Sequence, residues 1–147
     1  NIFYMTQSPA IITGTVKENL TYINKNSELS DSMLWAALDN VNLKQTFLDR
    51  DGLETKISEN AINLSMGQKQ RLALARLFLA DYHLIVLDEF SNGIDYESKA
   101  LIISSINKAV KNKICISISH DKDVISTADE IIDFSKDKIE EFTKTKC

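Results

Sequence analysis

The chain has 147 residues, 44% hydrophobic and 26% charged, with four Gly and one Pro; this suits one compact core and excludes disordered, collagen-like and mucin-like classes. Lys and Arg total 17 against 21 Asp and Glu, a formal charge of −4, which argues against nucleic acid as a partner, since that requires clustered cations to neutralise phosphate. Two Cys, Cys115 and Cys147, are too few for a disulfide framework and fit a reducing compartment. No apolar run reaches the length of a membrane span. The first residues carry neither a basic region nor a cleavage site, so they do not read as a signal peptide. They open in strand-like residues, as though further chain preceded them.

The first expected strand is residues 2–5, followed by the turn-rich stretch 6–9. Residues 16–80 read as mostly helical. Within 30–41, Leu34, Ala37, Leu38 and Val41 recur at i, i+3, i+4 and i+7 behind a cap at Ser30 or Asp31, which predicts a core-facing stripe. Trp35 lies off that stripe. From residue 83 strands and helices alternate. Residues 84–87 form a continuous apolar run of the kind buried in a parallel sheet. A helix is expected from Tyr96 to about Val110, with Ile102, Ile106, Ala109 and Val110 on one face. A second buried strand should span 114–119, with a short helix near 124–128 and two last strands near 130–134 and 138–141. The fold class is α/β, a mostly parallel sheet with right-handed crossovers and a helical insertion after the first strand.

Ligands of such sheets bind beyond the carboxyl ends of the strands. Gln7 follows the first strand, Asp88 and Glu89 the second, and Ser119, His120 and Asp121 the third. Taken singly, each has an ordinary alternative as a solvated turn or a cap. Together they aim an amide, two acids and an imidazole at one edge, which suits nucleotide hydrolysis. A hard carboxylate such as Asp88 can hold Mg²⁺. A second one, Glu89, can polarise water, and His120 can hydrogen-bond a γ-phosphate. A fourth cluster, residues 64–71, opens a helix: Ser65-x-x-Gln68 is a capping box, and Gly67 keeps bulk away from first-turn N–H groups that can bind an anion. The alternative there is an ordinary N-cap. Residues 72–80 are apolar nearly all round and should be buried.

These blocks resemble the motifs of ATP-binding cassette (ABC) ATPases. Residues 64–68 resemble the LSGGQ signature, with Met66 in place of its first glycine. Residues 84–89 resemble the Walker B strand with its catalytic glutamate, though Phe90 stands where Pro often follows. Residues 91–95 resemble the D-loop, His120 the switch histidine and Gln7 the Q-loop glutamine. The segment Gly14, Thr15, Val16 and Asn19 matches a pattern common in exporters. Thr55 and Glu59 match the segment before the signature, where Ser58 and Ala61 replace glycines. The resemblance implies a RecA-like sheet (residues 1–9 and 81–147) with a helical signature subdomain (about 10–80). It implies ATP and Mg²⁺ as cofactors, Glu89 and His120 as catalytic residues, and Asp88 and Gln7 at the metal. Gln7, Ser65, Gly67, Gln68 and Asp95 would contact nucleotide. The implied partners are a second nucleotide-binding domain, paired head to tail, and transmembrane domains, at the cytoplasmic face of the cell membrane. The implied activity is ATP hydrolysis driving export. The sequence holds no G-x-x-x-x-G-K-[ST] phosphate loop, so it resembles the C-terminal part of such a domain and should be inactive alone. Two other readings stay open. One is a soluble ABC-type ATPase of DNA repair or chromosome maintenance, disfavoured because 16–80 lacks the long heptads of inserted coiled coils. The other is a non-catalytic fragment.

Overall fold

In a computed structural model, which describes residues 1–22 and 28–134 and the backbone of 140–143, the chain opens with β1 (Ile2–Met5). Phe3 and Met5 point into the core while Ile2 and Tyr4 are exposed, the two-residue alternation of a strand. The short strand β2 (Gly14–Thr15) leads into α1 (Val16–Thr21), which Thr15 and Glu18 close with a capping box. Asn19 of α1 is fully buried and folds the preceding loop onto the helix: its Oδ1 accepts from Ile12 N at 2.9 Å, and its Nδ2 donates to Ile12 O at 2.9 Å and Thr15 O at 3.0 Å.

α2 (Asp31–Asn40) is capped by Ser30, whose side chain accepts from Met33 N, so the helix starts at the first of the two expected caps. Leu34, Ala37, Leu38 and Val41 are all buried, as the periodicity requires. Trp35 is half-buried and lies over the turn at Gly52, whose φ is +61°. α3 (Lys44–Leu48) and a 3₁₀ turn at Gly52–Glu54 precede β3 (Lys56–Ile57), which pairs antiparallel with β2. This small sheet places one short strand, β3, within the stretch 16–80 that reads as mostly helical. Two-residue strands show no alternation by which a sequence could announce them.

α4 (Met66–Ala75) runs into a 3₁₀ turn at Arg76–Leu79. Leu72, Ala73, Leu74, Ala75, Leu77 and Leu79 are buried, as expected of this apolar stretch. Arg76 is buried among them. Its Nε donates to Asn19 O and its Nη1 to Ala10 O, both at 2.9 Å, which ties the turn to α1 and to the loop after β1. Burial draws its pKa down.

β4 (Leu84–Asp88), α5 (Tyr96–Ala109), β5 (Ile114–Ile118) and α6 (Lys122–Ser126) follow. Ile102, Ile103 and Ile106 turn α5 toward the core, and Asp95 caps it. β1, β4 and β5 form one parallel sheet in that order. The fold is mixed α/β, with one continuous core running from Phe3, Met5, Ile85 and Leu87 of the sheet into the helices.

β5 departs from expectation. Ile114, Ile116 and Ile118 are 66%, 51% and 54% exposed. They share a face with Ile2 and Tyr4, and no described element covers that face, whereas parallel sheets are normally covered on both sides. β6 (Glu130–Asp133) and β7 (Glu140–Thr143) pair antiparallel as a separate ribbon and do not extend the parallel sheet. The strand expected at 138–141 lies partly outside the described residues.

Candidate functional site

Parallel pairing of β1, β4 and β5 in adjacent register, with Met5 beside Leu87 and Asp88 beside Ile118, brings their carboxyl ends to one edge. Gln7, Asp88, Glu89 and His120 therefore emerge together, as the strand-end argument predicts. Asp88 is the last residue of β4 and half-buried. Glu89 begins the loop with a φ of +48°, a left-handed conformation that costs a residue with a Cβ about 1–2 kcal/mol. The turn is fixed from both sides: Glu89 N donates to Ile118 O at 2.9 Å, and Glu89 O accepts from Asn92 N at 3.1 Å.

That backbone sends the Glu89 side chain across to His120, placing Oε1 2.9 Å from Nδ1. A carboxylate only accepts, so Nδ1 carries the proton in this pair. Glu89 Oε2 is buried with no hydrogen-bond partner. An unpaired buried carboxylate oxygen is costly, and it marks where a polar ligand or water is accepted. His120 is largely exposed. The strand-end reasoning grouped Glu89 and His120 but missed their direct contact, because a positive φ at a glutamate leaves no mark in a sequence.

The signature cluster forms its capping box as expected. Ser65 Oγ accepts from Gln68 N at 3.2 Å, and Gln68 Oε1 accepts from Ser65 N at 3.0 Å. The Gln68 amide and side chain are thus engaged inside the box, which corrects the idea of a free N–H there. Met66 is 64% exposed and Gly67 is buried. A Cβ on Gly67 would collide with the carbonyl oxygen of Gly93. Close packing of the 91–95 loop is therefore a second reason for glycine, beside access for an anion.

Asp95 caps α5, its Oδ1 accepting from Ser98 N at 2.8 Å, and this bond holds its carboxyl below the usual range. Ser98 Oγ also meets Arg71 Nη1 at 3.0 Å and Asn42 Nδ2 at 2.9 Å, and Arg71 Nη1 donates to Asn42 O at 2.9 Å. Arg71, Ser98 and Asn42 thus join α4, α5 and the end of α2. The sequence reading assigned them no role, for they lie on three distant segments. Just past His120, Asp121 caps α6 by accepting from Asp123 N at 3.0 Å and pairs with Lys99 at 2.6 Å. The Lys99 ammonium pulls the Asp121 carboxyl down. The stability from this pair is full above the ordinary carboxylate pKa and fades as pH falls through the depressed one. Asp121→Asn should lower unfolding stability by about 0.5–1 kcal/mol at neutral pH. Denaturant melts of both chains should converge only once the pH lies below the depressed pKa of Asp121; a gap that persists in stronger acid would show that the loss is not electrostatic.

A family model described as ABC transporter matches residues 1–92. ABC transporter C family member 12 of Dictyostelium discoideum is 35% identical over 143 residues, covering 97% of this chain and 11% of that protein. A putative export ATP-binding/permease protein of Rickettsia bellii (strain RML369-C) is 37% identical over 145 residues, covering 95% of this chain and 24% of that one. The solved structure of a bacterial Atm1-family ABC exporter with ATP bound superposes with a TM-score of 0.80 at 23% identity, over 89% of this chain and 23% of that one. The chain thus spans between about a tenth and a quarter of the length of these proteins. The match over residues 1–92 takes in the Q-loop, signature and Walker B blocks read from the sequence, and the chain belongs to the ABC transporter family.

Proposed function

We propose that this chain is the signature and Walker B part of an ATP-hydrolysing nucleotide-binding domain in an exporter. The observation that carries this reading is Glu89: held by His120 through Oε1, it keeps Oε2 buried and unpartnered at the carboxyl edge of a parallel sheet. That oxygen is suited to take a proton from an attacking water, with His120 fixing the carboxylate from its other side. Asp88 and Gln7 supply two hard oxygen donors at the same edge. Two such hard oxygen donors would suit an Mg²⁺ that takes its remaining ligands from phosphate and water oxygens; among the described residues no group of three or more His, Cys, Asp or Glu is placed to hold a metal. Bound there, Mg-ATP supplies the scissile phosphoryl group and the cation that offsets its charge.

In this reading, residues of about 10–80 form the helical lobe, and 1–9 with 81–147 the sheet lobe. The capped end of α4 with Ser65 and Gly67, and Asp95 at the start of α5, face a second nucleotide-binding domain and the ATP it holds. Transmembrane domains complete the transporter, with this chain at the cytoplasmic face; no helix among the described residues is long and apolar enough to cross a membrane. The export assignment draws on relatives named as exporters and permeases. The described helices of the lobe run to 10 residues at most, and nothing there resembles an inserted coiled coil of a DNA-repair ATPase.

A non-catalytic role for these 147 residues alone is favoured by one feature, the missing phosphate loop. Such loops provide the backbone N–H groups that cradle phosphates. Calorimetric titration of the isolated chain with Mg-ATP should therefore show no micromolar binding, whereas the full-length polypeptide should bind and hydrolyse it. Micromolar binding by the isolated chain would contradict the need for a separate cradle, and a full-length polypeptide without ATPase activity would contradict the function.

A further inference from the structure

Burying a primary amide is costly unless all its groups are paired, yet Gln70 of α4 is 1% exposed and its Oε1 has no partner. Its Nε2 donates to two backbone carbonyls, Gln7 O and Glu89 O, each at 3.4 Å. Those carbonyls hold equivalent places. β1 and β4 pair as far as Met5 and Leu87, so Gln7 and Glu89 each lie two residues past the last rung. Beyond that rung the strands no longer satisfy each other: Gln7 O takes its donor from Gln70, and Glu89 O, which already accepts from Asn92 N, takes a second from the same amide. One NH₂ group from a different helix serves both.

We propose that Gln70 is a positioning residue for hydrolysis, standing in for the missing rung so that the backbone at Gln7 and Glu89 follows the position of α4. The inference rests on the functional reading above and deepens it. Glu89 is where such support is needed: with a φ of +48°, its side chain reaches His120 only while the strained turn is held. α4 is the helix whose capped first turn carries Ser65 and Gly67. Both Gln70 hydrogen bonds are near the long limit of such contacts, so a small displacement of α4 breaks them. What binds at the start of α4 thus biases the turn that aims Glu89, through a side chain that touches neither substrate nor metal. The unpaired Oε1 supports a functional role over simple packing, because an apolar side chain of equal length would fill the space without that cost.

The test is steady-state ATPase kinetics of the full-length polypeptide in lipid nanodiscs, with Gln70→Met as the variant of like length that lacks a donor. The expected result is a fall in kcat of about tenfold or more, the scale of lost positioning, with the KM for Mg-ATP and the thermal midpoint unchanged. Wild-type kcat in Gln70→Met, or a raised KM at unchanged kcat, would overturn the proposal while leaving the functional reading standing. No hydrolysis by the wild type would take down both. Should Gln70→Met fail to fold, Gln70→Leu, which also lacks a donor, carries the test with the same expected fall in kcat at an unchanged KM; wild-type kcat in that variant would overturn the proposal.

Discussion

Glu89→Gln should reduce ATP hydrolysis by the full-length polypeptide by about 10²-fold or more, the loss expected when a general base is removed. The substitution keeps the shape of a residue whose backbone is held by Ile118 and Asn92 and whose side chain meets His120. An amide oxygen can still accept from His120 Nδ1, so the loop should keep its conformation. What disappears is the negative charge at the second, buried position, and with it the capacity to take a proton from water. Nucleotide binding should survive, and the ATP-bound assembly should accumulate because its exit through hydrolysis is blocked. Steady-state turnover together with equilibrium nucleotide binding checks both halves. Unchanged turnover would move the proton-accepting role to His120. His120→Ala should cost less, about tenfold, since it removes the orienting partner and leaves the carboxylate.

Gly67→Ala should abolish ATP-dependent association of two such domains, although it adds a single methyl group. That methyl would meet the Gly93 carbonyl oxygen, and backbone cannot swing aside as the end of a flexible side chain can. Relief requires the 91–95 loop to move, with an overpacking cost of about 1–3 kcal/mol and displacement of Asp95, which caps α5. Gly67→Asp adds like charge against phosphate, so both variants lose association, and the alanine form shows that crowding suffices. Met66→Gly is the control: Met66 is 64% exposed, and removing its side chain adds no bulk against the loop. Light scattering with ATP, in a Glu89→Gln background that prevents turnover, should show association for Met66→Gly and none for either Gly67 variant. Wild-type association by Gly67→Ala would remove the 91–95 loop from the interface.

The features legible in the sequence are the local ones. Ser30 and Ser65 each announce a helix start within four residues, and the Leu34, Ala37, Leu38 and Val41 stripe follows from helical periodicity alone. The site edge was legible because parallel strands deliver their carboxyl ends to one side whatever lies between them. The parts that were not legible depend on distant neighbours. β2 and β3 are too short to alternate, and their pairing joins Gly14 to Ile57. An apolar run such as Ile114–Ile118 reads as buried, but whether its outer face is covered is decided by other segments. Gly67 against Gly93, and Arg71 against Ser98 and Asn42, are contacts of the third dimension only. Gln70 stands in the polar run with Gln68, Lys69 and Arg71, so nothing in the sequence sets it apart, and only its two carbonyl partners do.

In the proposed function one chain serves two nucleotides, with the edge at Gln7, Asp88, Glu89 and His120 facing one and the capped end of α4 facing another. The direct measurement is an experimental structure of the full-length Glu89→Gln polypeptide with Mg-ATP. The expected result is a γ-phosphate in hydrogen-bond contact with His120 of its own domain and with Ser65 of the opposing one. A single ATP touched by His120 and Ser65 of the same chain would contradict it.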